Sequence, residues 1–159
     1  MRVNGSQGAK PLECINPPKN RWAVRWGFQP DENDGLSYEE TVFDYKPSTE
    51  EIRGLIGGWI NQATETEIIS GYYWRNIPVW LSSENQLNYK TAHDLAVQTT
   101  GATLPVTFKL GTSEDPVYYT FENLEEITEF FTGVAKHIQG TIAEGWREKD
   151  NLDLTPYEG

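Results

Sequence analysis

Cysteine and histidine are scarce in this chain. It has one cysteine, Cys14, and two histidines among its 159 residues. A single cysteine cannot form an internal disulfide, and a zinc or transition-metal site would have to be built mostly from carboxylates, which those ions do not favour. We therefore expect no disulfide framework, no metal and no other cofactor. A lone cysteine is typical of a reducing compartment, although a chain without disulfides is equally suited to the outside of a particle.

Long apolar runs and clusters of positive charge are also lacking. No apolar run approaches the roughly 20 residues that span a bilayer, and the first ten residues lack the apolar core of a secretion signal. The 13 Lys and Arg residues are scattered along a chain of formal net charge -11, which repels a phosphate backbone. These patterns predict a soluble protein, cytoplasmic as synthesised, with no membrane partner and no nucleic-acid partner.

Aromatic side chains, by contrast, are plentiful, at 13% of the chain. Large rings bury enough apolar surface to offset the ordering entropy, so the chain is expected to fold. Residues 1–20 lack periodicity and predict a flexible N-terminal arm, while the acidic residues 149–159 predict a frayed tail. The length then favours a single domain over 21–148, with an N-terminal hairpin–helix unit at 21–66 and a second segment at 67–148.

Hydrophobic periodicity and capping residues divide this domain into three similar units. Residues 21–28 alternate and predict a half-buried strand whose apolar face holds Trp22, Val24, Trp26 and Phe28. The turn residues 30–35 and the aromatic run 38–45 complete a hairpin. Ser48 and Glu51 then form the capping box of a helix at about 49–63.

The same order of elements recurs twice. Strands at 67–74 and 77–81 precede a helix at 83–99 capped by Ser83, and strands at 104–110 and 117–121 precede a helix at 123–148 capped by Asn123. The predicted fold class is α+β, with three successive β-hairpin–helix units and antiparallel sheets covered by helices. Four of the tryptophans fall on apolar faces and are expected to be structural: Trp22, Trp26, Trp59 and Trp146.

Residues of catalytic type do not form a recognisable constellation. His93 and Asp94 are helix neighbours that point about 100° apart, and Ser83 lacks the flanking glycines of a nucleophile elbow. We expect a non-enzymatic protein with no catalytic, cofactor-binding or metal-binding residues. A pair of carboxylates for glycoside hydrolysis depends on spatial separation rather than sequence spacing, so four candidates stay open: Glu39, Glu40, Asp44 and Glu84.

The candidate partner-binding surface consists of Tyr73, Pro78 and Trp80. Antiparallel pairing places Tyr73 and Trp80 on one face of the second hairpin, whether its turn has two or four residues. The opposite face holds Tyr72, Trp74, Val79 and Leu81. Because a hairpin that packs on a core is normally polar on its second face, large rings on both faces predict either a covering layer, such as the N-terminal hairpin, or an exposed anchor for a partner.

Packing motifs in the second half of the chain carry a family resemblance. They are the segment Ile77-Pro78-Val79-Trp80-Leu81, the Gly101 break, the strand 104–108 and the helix that opens with Asn123-Leu124-Glu125-Glu126. From about Tyr72 to Trp146 the chain resembles an uncharacterised domain family of bacteriophages and prophages, often found in or beside tail-fibre and tail-fibre-assembly proteins. Residues 10–150 are also similar to hypothetical proteins of gut Bacteroidales.

This resemblance implies a function that works through a protein surface. It suggests a phage- or prophage-derived structural or protein-binding module, associated with a tail or tail fibre, that contacts a protein partner or associates with itself. An assembly factor for tail fibres is a variant of the same expectation, and association with a virion after synthesis follows from it. The alternative is a glycan-binding or glycan-cleaving domain that uses exposed aromatic residues.

Overall fold

The computed structural model describes residues 1–5, 7–32 and 35–159. In chain order the described elements are β1 (Arg2–Gly5), β2 (Leu12–Asn16), β3 (Arg21–Pro30), β4 (Leu36–Phe43), α1 (Thr49–Ser70), β5 (Tyr72–Trp74), β6 (Ile77–Val79), α2 (Ser83–Gln98), β7 (Val106–Gly111), β8 (Pro116–Phe121) and α3 (Leu124–Asp150), with short 3-10 helices at Pro17–Lys19 and Thr155–Tyr157. A helix follows each hairpin β3–β4, β5–β6 and β7–β8, and all strand pairs are antiparallel. The predicted α+β class is therefore confirmed.

The chain divides into two compact units. The first comprises residues 1–59 and 151–159, and the second comprises residues 60–150. The boundary lies inside α1, whereas the sequence pattern predicted a single domain over 21–148 with an internal division after residue 66. The helical spacing of apolar residues runs across this boundary, from Ile56 to Ile60 and Ala63, so it contains no signal for it.

Residues 1–20 do not form the predicted flexible arm. In the first unit β1 and β2 are the edge strands of a four-stranded sheet with the order β1-β4-β3-β2. They are only 4 and 5 residues long, too short for a clear alternation, yet they pair with backbone groups of β3 and β4 that would otherwise be left open. Of the predicted 30–35 turn, Asn33 and Asp34 lie outside the described residues, as does Ser6 of the predicted arm.

Strand β3 is buried on both faces rather than half-buried. Ala23, Val24, Arg25 and Trp26 are all buried, while Phe28 is exposed. Residues 154–157 account for part of this burial: Tyr157 donates a hydrogen bond from its hydroxyl to the Arg25 carbonyl at 2.6 Å. Leu154 and Tyr157 are themselves buried, and burial raises the pKa of Tyr157 to about 12. The prediction of a frayed tail over 149–159 is therefore wrong.

A partly buried ionic cluster links three strands of this sheet, β2, β3 and β4. Arg25 Nη1 lies 2.6 Å from Glu13 Oε2, and Arg25 Nε lies 2.7 Å from Glu40 Oε2. The Arg25 guanidinium also donates to the Lys10 carbonyl at 3.2 Å and lies 5.5 Å from the centre of the Tyr38 ring. Burial alone would lower the pKa of Arg25, but the hydrogen bonds to Glu13 and Glu40 raise it, so Arg25 keeps its positive charge.

The second unit packs around Phe130 of α3. This side chain is fully buried, and its ring lies 5.4 Å from Trp74, 5.2 Å from Tyr89, 5.6 Å from Phe108 and 5.0 Å from Phe121 between centroids. Those four rings come from β5, α2, β7 and β8. The core of this unit is therefore an aromatic cluster organised by one helix position.

Several predicted boundaries shift in the second unit. Helix α1 extends to Ser70, beyond the expected end at 63, and the Gly71 N–H makes its last helical hydrogen bond, to the Glu67 carbonyl at 2.9 Å. Helix α2 is capped by Ser82 rather than Ser83, because Ser82 Oγ accepts the Asn85 N–H at 3.2 Å. The Asn123 cap of α3 is confirmed, with Asn123 Oδ1 accepting the Glu126 N–H at 2.8 Å.

We predict that Arg25→Met lowers the free energy of unfolding by about 2 to 3 kcal/mol, because Glu13 and Glu40 then face each other without a cation. The effect should fall below that of a fully buried pair, since the two carboxylate side chains remain 39% and 24% exposed. Urea unfolding measures it, with the exposed Arg53→Met as the matched control. Equal effects from the two variants would show that the cluster contributes nothing.

We predict that Phe130→Ala destabilises the protein by about 3 to 5 kcal/mol, the range for removing a buried ring. The adjacent Phe131→Ala should cost clearly less, because the Phe131 side chain is half-buried and stacks on His93 at 5.0 Å. The same unfolding assay compares the two neighbours. A larger loss for Phe131 would mean that the core lies on the other side of α3.

Candidate functional site

The hairpin β5–β6 determines where the candidate side chains point. Its turn consists of Arg75 and Asn76, both in the left-handed region with φ of 47° and 67°. The register pairs Tyr72 with Val79, Tyr73 with Pro78 and Trp74 with Ile77. A two-residue turn of this kind fits the right-handed twist of the flanking strands. The structure therefore contains the antiparallel pairing of β5 with β6 from which the two faces of the hairpin were predicted.

The two faces of this hairpin differ sharply in exposure. Trp74, Val79 and Leu81 are buried, whereas Tyr73 and Trp80 remain 58% and 57% exposed. On the inner face, burial and the nearby charge of Glu129 raise the pKa of Tyr72 to about 12. Within the second unit, therefore, no layer covers Tyr73 and Trp80.

The peptide group that joins Trp80 to Leu81 makes two hydrogen bonds. Asn85 donates from its side-chain amide to the Trp80 carbonyl at 2.7 Å, and the Leu81 N–H donates to the Ile69 carbonyl at 2.8 Å. At the other end of the hairpin, Arg75 donates to the Tyr119 hydroxyl at 2.7 Å and lies 4.7 Å from the centre of the Trp74 ring. The exposed Trp80 ring is therefore attached to a backbone segment that is fixed by hydrogen bonds.

Tyr73, Pro78 and Trp80 line one open groove of about 660 Å³. Val79 belongs to the same wall, Ser70 lies at one end, and the other wall comes from β7 and the turn after it: Lys109, Leu110, Gly111, Thr112 and Ser113. Gly111 has a φ of +82°, and a Cβ there would collide with the Asp115 carbonyl oxygen. Glycine is therefore required to turn the chain at this wall.

The chemistry of the groove is mostly apolar, with a few donors. Lys109 is the cation among its lining residues, and its ammonium lies 6.0 Å from the centre of the Tyr118 ring on the paired strand. Within the described ranges Lys109 forms no ion pair, and the lining contains hydroxyls but no carboxylate, histidine or cysteine. Such a surface can stack on flat groups, donate hydrogen bonds and attract a negative charge.

Sequence reasoning identified one wall of this groove and missed the other. The polar run after Gly111 predicts a turn, but nothing in the pattern shows that this turn approaches Trp80. Trp146 was expected on an apolar face, yet it is 61% exposed near the end of α3. That position follows the buried Gly145, so the helix places the indole ring outside the packed stripe.

Three of the four candidate hydrolytic carboxylates belong to the first unit and form ion pairs there: Glu39, Glu40 and Asp44. Glu39 contacts the N-terminal amine at 3.3 Å and Arg2 at 3.7 Å. Glu40 pairs with Arg25, as described above, and Asp44 lies 3.5 Å from Arg21. Glu84 occupies the first turn of α2, where the helix dipole favours a carboxylate.

The two histidines occupy structural positions. His93 stacks on Phe131, and its Nε2 lies 3.4 Å from the Thr128 hydroxyl. His137 places Nε2 2.9 Å from the Glu67 carbonyl oxygen and so links α3 to α1. Among the residues that the structure describes, no group of three or more His, Cys, Asp or Glu side chains is arranged to hold a metal ion.

A scan against protein-family models, a search of curated proteins and a search of solved structures each found no match to this chain. The resemblance to the phage and prophage family therefore stays an expectation. None of the helices in the described part of the chain combines the length and apolar character needed to cross a bilayer.

We predict that Asn76→Gly raises the free energy of unfolding by about 0.5 to 1 kcal/mol, because glycine adopts the left-handed region without the strain that a side chain causes. Asn76 is exposed and does not line the groove, so the change should leave the groove intact. Urea unfolding and a near-ultraviolet circular dichroism spectrum measure the two effects. A loss of stability would mean that the Asn76 side chain itself supports the turn.

Proposed function

We propose that this chain is a non-enzymatic, phage- or prophage-derived structural or protein-binding module, associated with a tail or tail fibre. Its groove would hold a protein partner, or a second copy of the chain, through Tyr73, Pro78 and Trp80. The observation that supports this most is that two large rings on the outer face of one hairpin stay more than half exposed and line a single groove.

Energetics favour such a surface as an anchor. Tryptophan and tyrosine dominate binding hot spots because they bury a large area at a small cost in side-chain entropy. The backbone at Trp80 is already fixed by hydrogen bonds with Asn85 and Ile69, so little conformational freedom is lost on binding. Because this preorganisation lowers the entropy cost of binding, the same contact area gives a higher affinity.

The same groove also supports a second candidate, a glycan-binding domain. Exposed rings can stack on sugar rings, and Lys109, Thr112 and Ser113 add donors along the opposite wall. A glycan-cleaving version draws less support, because the four candidate carboxylates lie outside the groove lining. Screening a glycan array with the intact protein separates these candidates from the protein-binding proposal.

We predict that Trp80→Ala leaves the melting temperature nearly unchanged, because an exposed ring contributes within about 0.5 kcal/mol to folding. The same variant should weaken self-association, or binding to tail and tail-fibre proteins encoded by neighbouring genes, by about thirtyfold or more, the loss of about 2 kcal/mol expected of a hot spot. Sedimentation velocity and binding to the immobilised neighbouring proteins measure it.

A matched control is present in the same unit. Trp146→Ala removes a tryptophan that is 61% exposed and does not line the groove. This variant should leave association unchanged. A large fall in melting temperature for Trp80→Ala with association intact would refute the proposal, and a glycan signal that disappears in the same variant would favour the second candidate.

A further inference from the structure

We infer that the groove recognises an extended, proline-containing peptide segment that carries one acidic residue. This inference rests on the proposed function, since it names the chemistry of the partner for the same groove. It follows from the shape of the hairpin wall, the backbone chemistry of Pro78 and the position of Lys109.

The hairpin wall offers flat apolar surfaces without a continuous ladder of donors. Tyr73 and Trp80 are exposed rings on either side of the half-buried Pro78. Aromatic-lined grooves of this kind accept the pyrrolidine rings of a polyproline II segment, which is already extended and loses little conformational entropy on binding. A ring-to-ring contact therefore suits proline better than a flexible aliphatic side chain.

The register disfavours the other common way of binding an extended peptide, the addition of a β-strand. Because Arg75 and Asn76 form a two-residue turn, Trp74 and Ile77 are the hydrogen-bonded closing pair, and Tyr73 and Pro78 form the next, non-hydrogen-bonded pair. The backbone nitrogen of residue 78 then points away from β5. Proline at this position removes the donor that an added strand would use.

A polyproline II segment has carbonyl groups with no internal partners, and the groove supplies donors for them. No described residue accepts a hydrogen bond from the Trp80 indole N–H. The Thr112 hydroxyl oxygen accepts the Asp115 N–H at 3.0 Å, so its own proton is free to donate. Ser70 differs, because its hydroxyl already donates to the Thr66 carbonyl at 2.7 Å.

Charge complementarity with Lys109 is the reason to expect one acidic residue in the bound peptide. Lys109 is exposed, lines the wall opposite Trp80 and has no ion-pair partner among the described residues, so a carboxylate on the peptide can reach it. The net charge of -11 repels a strongly acidic chain at longer range. One acidic residue within a neutral proline segment satisfies both conditions.

The test uses the full-length, isotope-labelled protein and the peptide acetyl-Gly-Pro-Pro-Asp-Pro-Pro-Gly-amide, followed by amide and indole chemical shifts. We expect shifts at the Trp80 indole and at the amides of Lys109, Gly111 and Thr112. Replacing Asp by Lys in the peptide should weaken binding by about fivefold or more, the upper end for an exposed ion pair. Replacing all four prolines by alanine should abolish it.

Matched protein variants show whether Lys109 causes the preference for the acidic peptide. Lys109→Glu should reverse the preference between the Asp and Lys peptides, whereas Lys136→Glu, an exposed change of equal charge on α3 outside the groove, should keep it. Absence of shifts at millimolar peptide, equal binding of the alanine peptide, or binding of tri-galacturonic acid in place of the peptide would each overturn the inference.

The outcome also separates this inference from the proposed function. If the peptide does not bind but Trp80→Ala still weakens association with a tail protein or a second copy, the groove is a protein-binding surface with a different ligand chemistry. If Trp80→Ala changes neither peptide binding nor association, both proposals fail.

Discussion

The packing of Phe130 is the interaction on which the second unit depends. One ring from each of β5, β7, β8 and α2 contacts it within 5.6 Å between centroids. Two short hairpins have little stability alone, because a two-stranded sheet buries too little surface. A shared aromatic centre on a long helix gives both hairpins a fixed inner face, and the side chains on their outer faces are determined by strand alternation.

This constraint produces the groove. Once Trp74 and Val79 face Phe130 and its neighbours, Tyr73 and Trp80 must point the other way. The hairpin β7–β8 follows the same rule, since Phe108 and Leu110 are buried and Lys109 is exposed between them. The groove is therefore a consequence of core packing.

Sequence reasoning predicted what depends on local patterns and missed what depends on distant contacts. The hairpin–helix order, the Asn123 cap and the opposite faces of Trp74 and Trp80 follow from periodicity and capping, and the structure confirms them. The strands in residues 1–20 and the buried Tyr157 depend on pairing partners far along the chain. Lys109 joins Trp80 at the groove for the same reason, because the approach of the two hairpins arises from their common contacts with α3.

Exposed rings on an acidic protein define the kind of recognition that this surface can support. A net charge of -11 keeps copies apart at long range and disfavours polyanions, so specificity at the groove has to come from short-range contacts. Stacking on Tyr73 and Trp80 acts at contact distance and is independent of salt, while the single ammonium of Lys109 adds direction. Because these side chains contribute little to the core, binding strength and folding stability can vary independently in this unit.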